Sequence, residues 1–394
     1  MDRRTLQGWW FARQGLMEPQ PASAAPVLAA TGWARSVGGA NPYLSLFARA
    51  GVSREEAERA LAAGEIHELP SARGCTYVVP AADYALALRV GQGFGEEAAV
   101  ATARKYLGVT EEELAELSAQ VLAALEDRIL DPRELRAELG DAVRNLGTEG
   151  KKRGTTTTLP LALGRLQAWG KIRRVSVNGR LDGERYRYAL WQPSPLEREG
   201  PSGPEVYSEL ARRYFHWTGP ASLAHFRWFS GLGVKAAKEA VAPLGLTPLE
   251  EGSDLLLFPE DLEALQEFRI PNEPRYALVG SIDGVLHLRR DLDLLLPEES
   301  AERAWLERFG LRTQGGLVDL ESHGILDRGR LIGLWEYDPA VGQIAWTSYA
   351  PRTSELEAAV GRTEAFIRDQ LGDARSFSLD SPESRKPRLA ALRA

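Results

Sequence analysis

The stretch KKRGTTTTLP, from Lys151 to Pro160, has residue types and spacing suited to holding a polyanion. Lys151, Lys152 and Arg153 supply charge for phosphate oxygens. Gly154 lets backbone approach an anion closely, and Thr155, Thr156, Thr157 and Thr158 bring hydroxyls just ahead of a helix start. A solvated basic loop is the alternative. Lys171, Arg173 and Arg174 follow on one strand candidate, with Arg180, Arg185 and Arg187 toward the next. They extend the same electrostatic surface or guard a sheet edge. A second stretch, ARRYFHWTGPASLAHFRWFSG over 211–231, sets Arg212, Arg213 and Arg227 among aromatics. Tyr214, Phe226 and Phe229 fall on a core-forming stripe, while His225 and Arg227 are candidates for facing a groove.

Other chemistries find little support. The only cysteine, Cys75, cannot form an internal disulfide, and histidines at 67, 216, 225, 287 and 323 form no close ligand cluster, so neither a metal nor a cofactor is expected. No G-x-S-x-G elbow is present. Apolar residues make up 44% and charged residues 26% of the 394, which excludes a fibrous or disordered chain. With no apolar run long enough for a bilayer and no signal-peptide core in MDRRTLQGWW, a cytoplasmic protein without a membrane partner is expected. The net charge of −7 argues against a uniformly basic surface, but window 151–240 holds 16 Lys and Arg against 7 Asp and Glu. That asymmetry predicts one cationic face on an acidic body.

The elements that must carry these residues are short helices punctuated by Gly and Pro. TEEELAELSAQVLAALEDR has Thr110 and Glu113 in capping-box spacing and an apolar stripe through Leu114, Leu117 and Val121. DPRELRAELG and LPLALGRLQAWG follow with proline early and glycine late, and then come strands KIRRVSV and RYRYALW. Helix, helix, helix, hairpin is the order of a winged helix-turn-helix, with LPLALGRLQAWG as the recognition helix. The order recurs over 204–259 and more faintly at the start, around SREEAERALAAGE, IHELP and CTYVVP. Beyond about 275 the pattern turns to strands: YALVGSIDGVLHLRR, GILDRGRLIGLWEYD and GQIAWTSYA. An amphipathic helix, LEAAVGRTEAFIRDQLG, comes next, and SPESRKPRLAALRA reads as a frayed tail. The expected architecture is α+β: three tandem winged-helix modules (1–108, 109–195, 196–272) and a β-rich domain over 273–394.

These residues together resemble the AlkZ-like family of bacterial DNA glycosylases, whose members excise alkylated or crosslinked purines and include the YcaQ-type crosslink-repair enzymes. LARRYFHWTGPASLAHFRWFSGL is similar to the family's RRY, GPA and D-F-x-x-W-x-G-like signature; SARGCTYVVPAADY resembles its R-G-T-x-H stretch, and GRLIGLWEYD its C-terminal G-x-x-x-G-x-W strand pair. The resemblance implies winged helices curved around double-stranded DNA, a barrel-like C-terminal domain, base-excision repair by a monofunctional glycosylase acting on alkylated DNA, and a monomer. It adds Arg73 and Arg213 to the DNA-binding candidates.

The family's catalytic pair, two Gln or a Gln and an Asp one residue apart, corresponds to Trp33 and Arg35 in TGWARSVGG; a slip of one residue pairs Ala34 with Ser36 instead. Cys75 and Tyr77 replace the Thr and His of the R-G-T-x-H stretch. Cleaving the sugar bond to an alkylated purine needs an oriented water and stabilisation of an oxocarbenium-like charge. Arg35 is a permanent cation without an acceptor, and Trp33 offers one donor and an aromatic face. Trp33 either stacks on a base or belongs to the core. The rival expectation is a non-catalytic DNA-binding or transcription-regulatory protein on the same scaffold.

Overall fold

The computed structural model describes residues 1–92, 94, 96–297, 304, 310–313 and 316–393. Helix α1 (Arg3–Arg13), capped by Asp2, precedes a first unit made of α2 (Ala24–Thr31), β1 (Ala34–Arg35), α3 (Asn41–Ala50), α4 (Arg54–Ala62), β2 (Ile66–Pro70) and β3 (Thr76–Pro80). Its strands pair antiparallel in the order β1-β3-β2. The Ser53–Glu56 capping box starts α4 as its spacing predicts. The exposed side of α4 carries Glu55, Glu56 and Arg59, which gives a groove-entering helix no cationic face. After β3 come α5 (Tyr84–Gly91) and α6 (Glu96–Leu107).

The second unit contains α7 (Glu111–Ala124), opened by the Thr110–Glu113 capping box, α8 (Pro132–Leu139), α9 (Gly147–Lys152), α10 (Leu159–Ala168), and hairpin β4 (Ile172–Ser176) with β5 (Tyr186–Leu190). Three points of the sequence reading change here. Lys151 and Lys152 lie on the helical turn α9 and not in a loop. Helix α10, expected to be the recognition helix, is buried through Leu159, Leu161, Ala162, Leu163 and Leu166, so it is a core helix with no side free for a groove. Thr157 and Thr158 are buried with it, and the Thr158 hydroxyl accepts the Arg144 N–H. Finally, the hairpin tip is docked. Arg180 binds Asp182 and the Leu371 carbonyl, and the Leu181 N–H donates to the Tyr43 hydroxyl.

The third unit repeats the first: α11 (Pro204–Thr218), β6 (Ala221–Ser222), α12 (Leu223–Ser230), α13 (Val234–Val241), β7 (Thr247–Pro248) and β8 (Leu255–Leu257), with strand order β6-β8-β7. Here α13 is open, exposing Val234, Lys235, Lys238 and Glu239. Helix α14 (Pro259–Glu267) leads into β9 (Tyr276–Val279). The continuation VLHLRR, expected in a strand, instead enters α15 (Gly284–His287), because the Asp283 carboxylate caps the Val285 N–H. Strands β10 (Gly310–Thr313) and β11 (Gly316–Leu320) pair with each other, while β12 (His323–Asp327), β13 (Arg330–Asp338) and β14 (Gln343–Ser348) join β9 in an open sheet of order β14-β13-β12-β9. No closed barrel exists among the described residues. The helix Ser354–Phe366 covers this sheet.

The chain end is no frayed tail. SPESRKPRLAALRA forms the helix Pro382–Arg393, packed on β13 and β14. Buried Arg385 forks onto Asp373 (2.8 and 2.9 Å), and Arg388 reaches Asp380. Arg385 and Arg388 are thus held by carboxylates of the preceding loop.

One polar network ties the units together. Buried Arg49 on α3 donates to both carboxylate oxygens of Asp283 (2.7 and 2.8 Å) and to Gln14 Oε1 (2.9 Å). Ser45 donates to the same carboxylate (2.6 Å), and Gln14 donates to the carbonyls of Thr31 and Trp217. Burial alone would raise the Asp283 pKa, but Arg49 and these hydrogen bonds hold it below the ordinary carboxylate value. Asp283→Asn leaves Arg49 buried without its counter-charge and is expected to cost about 3–5 kcal/mol. Urea unfolding measures this; a loss below about 1 kcal/mol would show that the pair is replaceable.

Acid should also unfold the protein. His67, His287 and His323 are held neutral chiefly by burial, with pKa values lowered to about 3, 4 and 4. The unfolded chain takes up protons near pH 6.5 and the folded one does not, so stability falls as pH drops below 6.5, by on the order of 2 kcal/mol per histidine at pH 5. The melting temperature is expected to fall between pH 7.5 and 5, and less so in His67→Phe; a flat profile would contradict the burial argument.

A candidate nucleic-acid interface and its cationic pocket

Strand β1 pairs with β3 so that Ala34 lies opposite Val78 and Arg35 opposite Tyr77. Side chains alternate along a strand, so Trp33 and Arg35 share one face while Ala34 and Ser36 share the other. The Ser36 hydroxyl donates to buried Glu68, whose pKa burial raises. Trp33 is 2% exposed. Its indole N–H donates to Asp83 (2.9 Å), and its ring meets Trp217 and Tyr77 edge-on. Arg213 binds the other oxygen of Asp83 (3.0 Å). Trp33 is therefore core, and its single donor is already used. Arg35 is half-buried, with its guanidinium 5.6 Å from the Tyr77 ring centroid. Burial pushes the Tyr77 hydroxyl up to about 12.

Around Arg35 the fold assembles groups far apart in sequence. Arg73, in the turn before β3, has a φ of +59° followed by Gly74 at +67°. This left-handed turn sets its guanidinium 4.3 Å from the ring of Trp228 on α12. Arg290, just after α15, has a φ of +54° and lies 5.3 Å from the same ring. Only four non-glycine residues among those described have positive φ, and two of them bring a guanidinium to one indole. Such backbone costs of order 1–3 kcal/mol per residue and persists where the surroundings enforce it. His287 meets Trp228 edge-on at 4.7 Å. Asp319 on β11 accepts from Arg290 Nε at 3.0 Å and lies 3.9 Å from His287 Nδ1. Beyond burial, the field of Arg35, Arg290 and Arg73 keeps His287 neutral against the pull of Asp319. No carboxylate within ion-pair distance faces Arg35 or Arg73 among the described residues.

The other candidate residues are dispersed. His225 is occupied: its Nδ1 accepts the Ser222 N–H, which leaves the Nε2 proton directed at Asp291, 3.4 Å away. That hydrogen bond is the main reason the Asp291 pKa is lowered. Arg227 is half-buried on the same helix. On the second unit, Lys152 pairs with Glu149 (2.7 Å), and Arg153 stacks on exposed Tyr106 (4.1 Å). Lys151 and Thr156 are exposed, and Thr155 is half-buried. Lys171 is exposed; Arg173 and Arg174 lie close enough to His67 to lower its pKa. Arg187 pairs with Glu134.

The sequence reading missed Trp228, His287, Arg290 and Asp319, and also Lys235 and Lys238 on the open α13. Trp228 stood inside a stretch already singled out, one residue from Arg227. Nothing local marks Arg290 or Asp319, whose proximity arises only from packing.

The arrangement can hold an anion by Arg35 and Arg73, whose guanidiniums rest on aromatic rings and meet no carboxylate among the described residues. It does not orient water through Trp33, whose donor is spent, or through Arg35, which has no acceptor. Chemically this is a mixed helix-and-sheet scaffold with repeated helix–strand–helix–helix–strand–strand units and a cationic pocket between two of them. The model of the AlkZ-like DNA glycosylases matches residues 23–366, and the chain belongs to that family. The DNA glycosylase AlkZ of Streptomyces sahachiroi has the same fold, with a TM-score of 0.69 at 19% identity over 96% of this chain and 98% of that one. No curated protein sequence matches.

Arg35→Gln removes the second-largest influence on His287, after burial. The His287 pKa is expected to rise from about 4 toward the ordinary histidine range, read from its ring-proton NMR shift. An unchanged value would separate Arg35 from this pocket.

Proposed function

We propose that this protein binds double-stranded DNA on the AlkZ scaffold and does not excise bases through the pair of positions the family uses. The carrying observation is the state of that pair: Trp33 buried with its N–H on Asp83, Arg35 a cation beside Tyr77. An oxocarbenium-like transition state forming near Arg35 would meet repulsion where the chemistry requires an acceptor. The shared element order of the first and third units supports the winged-helix reading, with modules over 1–108, 109–195 and 196–272 and a C-terminal domain over 273–394. In the third unit α13 offers Lys235 and Lys238 for phosphate contact. The second unit contributes Lys151 and its neighbours beside Tyr106, and the pocket contributes Arg35 and Arg73. The protein acts as a monomer in this reading.

A second reading keeps glycosylase chemistry through Asp319, which lies beside His287 in the pocket. Single-turnover incubation with duplex carrying N7-methylguanine separates the two. Free base at background supports the binding protein; release that Asp319→Asn abolishes supports the enzyme. Duplex affinity is expected to fall steeply with salt. Lys235→Ala with Lys238→Ala should weaken binding to all sequences alike and flatten the slope of log affinity on log salt by about 2. An unchanged slope would remove α13 from the interface.

A further inference from the structure

We propose that the pocket formed by Arg35, Arg73, His287 and Arg290 around Trp228 binds a phosphate monoester, the terminal phosphate of a DNA strand. This rests on the DNA-binding reading and names the group that its pocket receives. Two guanidiniums, Arg73 and Arg290, lie over this indole, and that of Arg290 is neutralised by Asp319; a third, Arg35, lies over Tyr77 and acts on His287. Of the other carboxylates described nearby, Asp291 is directed at His225, and Asp83 is held by Trp33 and Arg213. Two positive charges therefore remain without a carboxylate partner among the described residues. A phosphodiester in a continuous strand carries one negative charge, whereas a monoester carries about 1.5 to 2 near neutral pH, which matches the excess.

The indole does not act as a base-stacking platform. Trp228 already has guanidiniums over its ring and the His287 ring at its edge, so it fixes the direction of the cations. Left-handed backbone at both Arg73 and Arg290 fits a built site, since it sets two guanidiniums at one place at a conformational cost. Arg73 is exposed, which leaves the pocket open to a ligand. His287, neutral at pH 7, gains a favourable partner for its charged form once a dianion enters.

The test uses the full chain and three probes: inorganic phosphate, a duplex with 5′-phosphate ends, and the same duplex with 5′-hydroxyl ends. Inorganic phosphate is expected to raise the melting temperature and the His287 pKa. Phosphorylated ends should bind about tenfold tighter than hydroxyl ends, as for one added charge-assisted contact pair. In Arg35→Gln and Arg73→Gln that ratio should collapse toward one, whatever happens to duplex affinity overall, and Arg73→Lys should restore part of it. A response to inorganic phosphate with no discrimination between ends would support the monoester chemistry and overturn the strand end as its source. No response to phosphate together with a ratio of one, or a ratio retained in the Arg35→Gln/Arg73→Gln double variant, overturns the proposal. A covalently closed dumbbell duplex, which has no strand ends, tests the DNA-binding reading separately, because loss of its binding would leave the phosphate result standing on its own.

Discussion

The contact between Arg49 and Asp283 holds the molecule's parts in register. Asp283 lies between β9 and α15, so the same carboxylate that neutralises a guanidinium of the first unit also starts the helix that ends at His287. Gln14 extends the network to α2 and to the end of α11. Buried charges of this kind contribute little net stability over an apolar replacement, but they are intolerant of losing one member. Here the intolerance fixes geometry. The pocket draws Arg35 and Arg73 from the first unit, Trp228 from the third, and His287 and Arg290 from the segment Asp283 begins. A shift of that segment would part the His287 ring from the indole.

Around this frame the first and third units pack as one body with the C-terminal sheet, whereas the second keeps a separate core from Leu117 to Tyr188. Its hairpin tip is nonetheless pinned. Arg375 binds Glu184 and the Asp182 carbonyl, and the loop after β1 passes so close that a side-chain carbon at Gly39 would lie 2.4 Å from the Ser376 carbonyl oxygen. The glycine pair in SVGGAN is explained by that approach. Strand β1 is thus fixed from behind, which gives Arg35 a defined direction.

The electrostatic character of the pocket follows from a few residues acting together. An amide or carboxylate at position 35 would accept hydrogen bonds and tolerate positive charge; a guanidinium reverses both properties. Tyr77 lies directly opposite in the sheet, its ring beside the guanidinium. Trp33 fills the core between Tyr77 and Trp217. Each of these residues suits the others: an aromatic ring beside a guanidinium, and an indole whose N–H is held by Asp83.

Much of this was legible in the chain. Capping boxes at Ser53 and Thr110, the helix–helix–helix–hairpin order and the family signature are local patterns, and local hydrogen-bonding rules suffice to write them. The burial of α10 was not legible, because an amphipathic stripe identifies one inward face and cannot report that α6 covers another. Nor was the ordered final helix, since Arg385 and Arg388 look solvated until Asp373 and Asp380 are seen beside them. The sequence by itself determined most of the elements, and its resemblance to the family drew attention to Trp33 and Arg35. Only the tertiary structure decided what those residues do, because a charge acquires its chemical role from its neighbours, and one group on which Arg35 acts, His287, lies more than two hundred residues away along the chain.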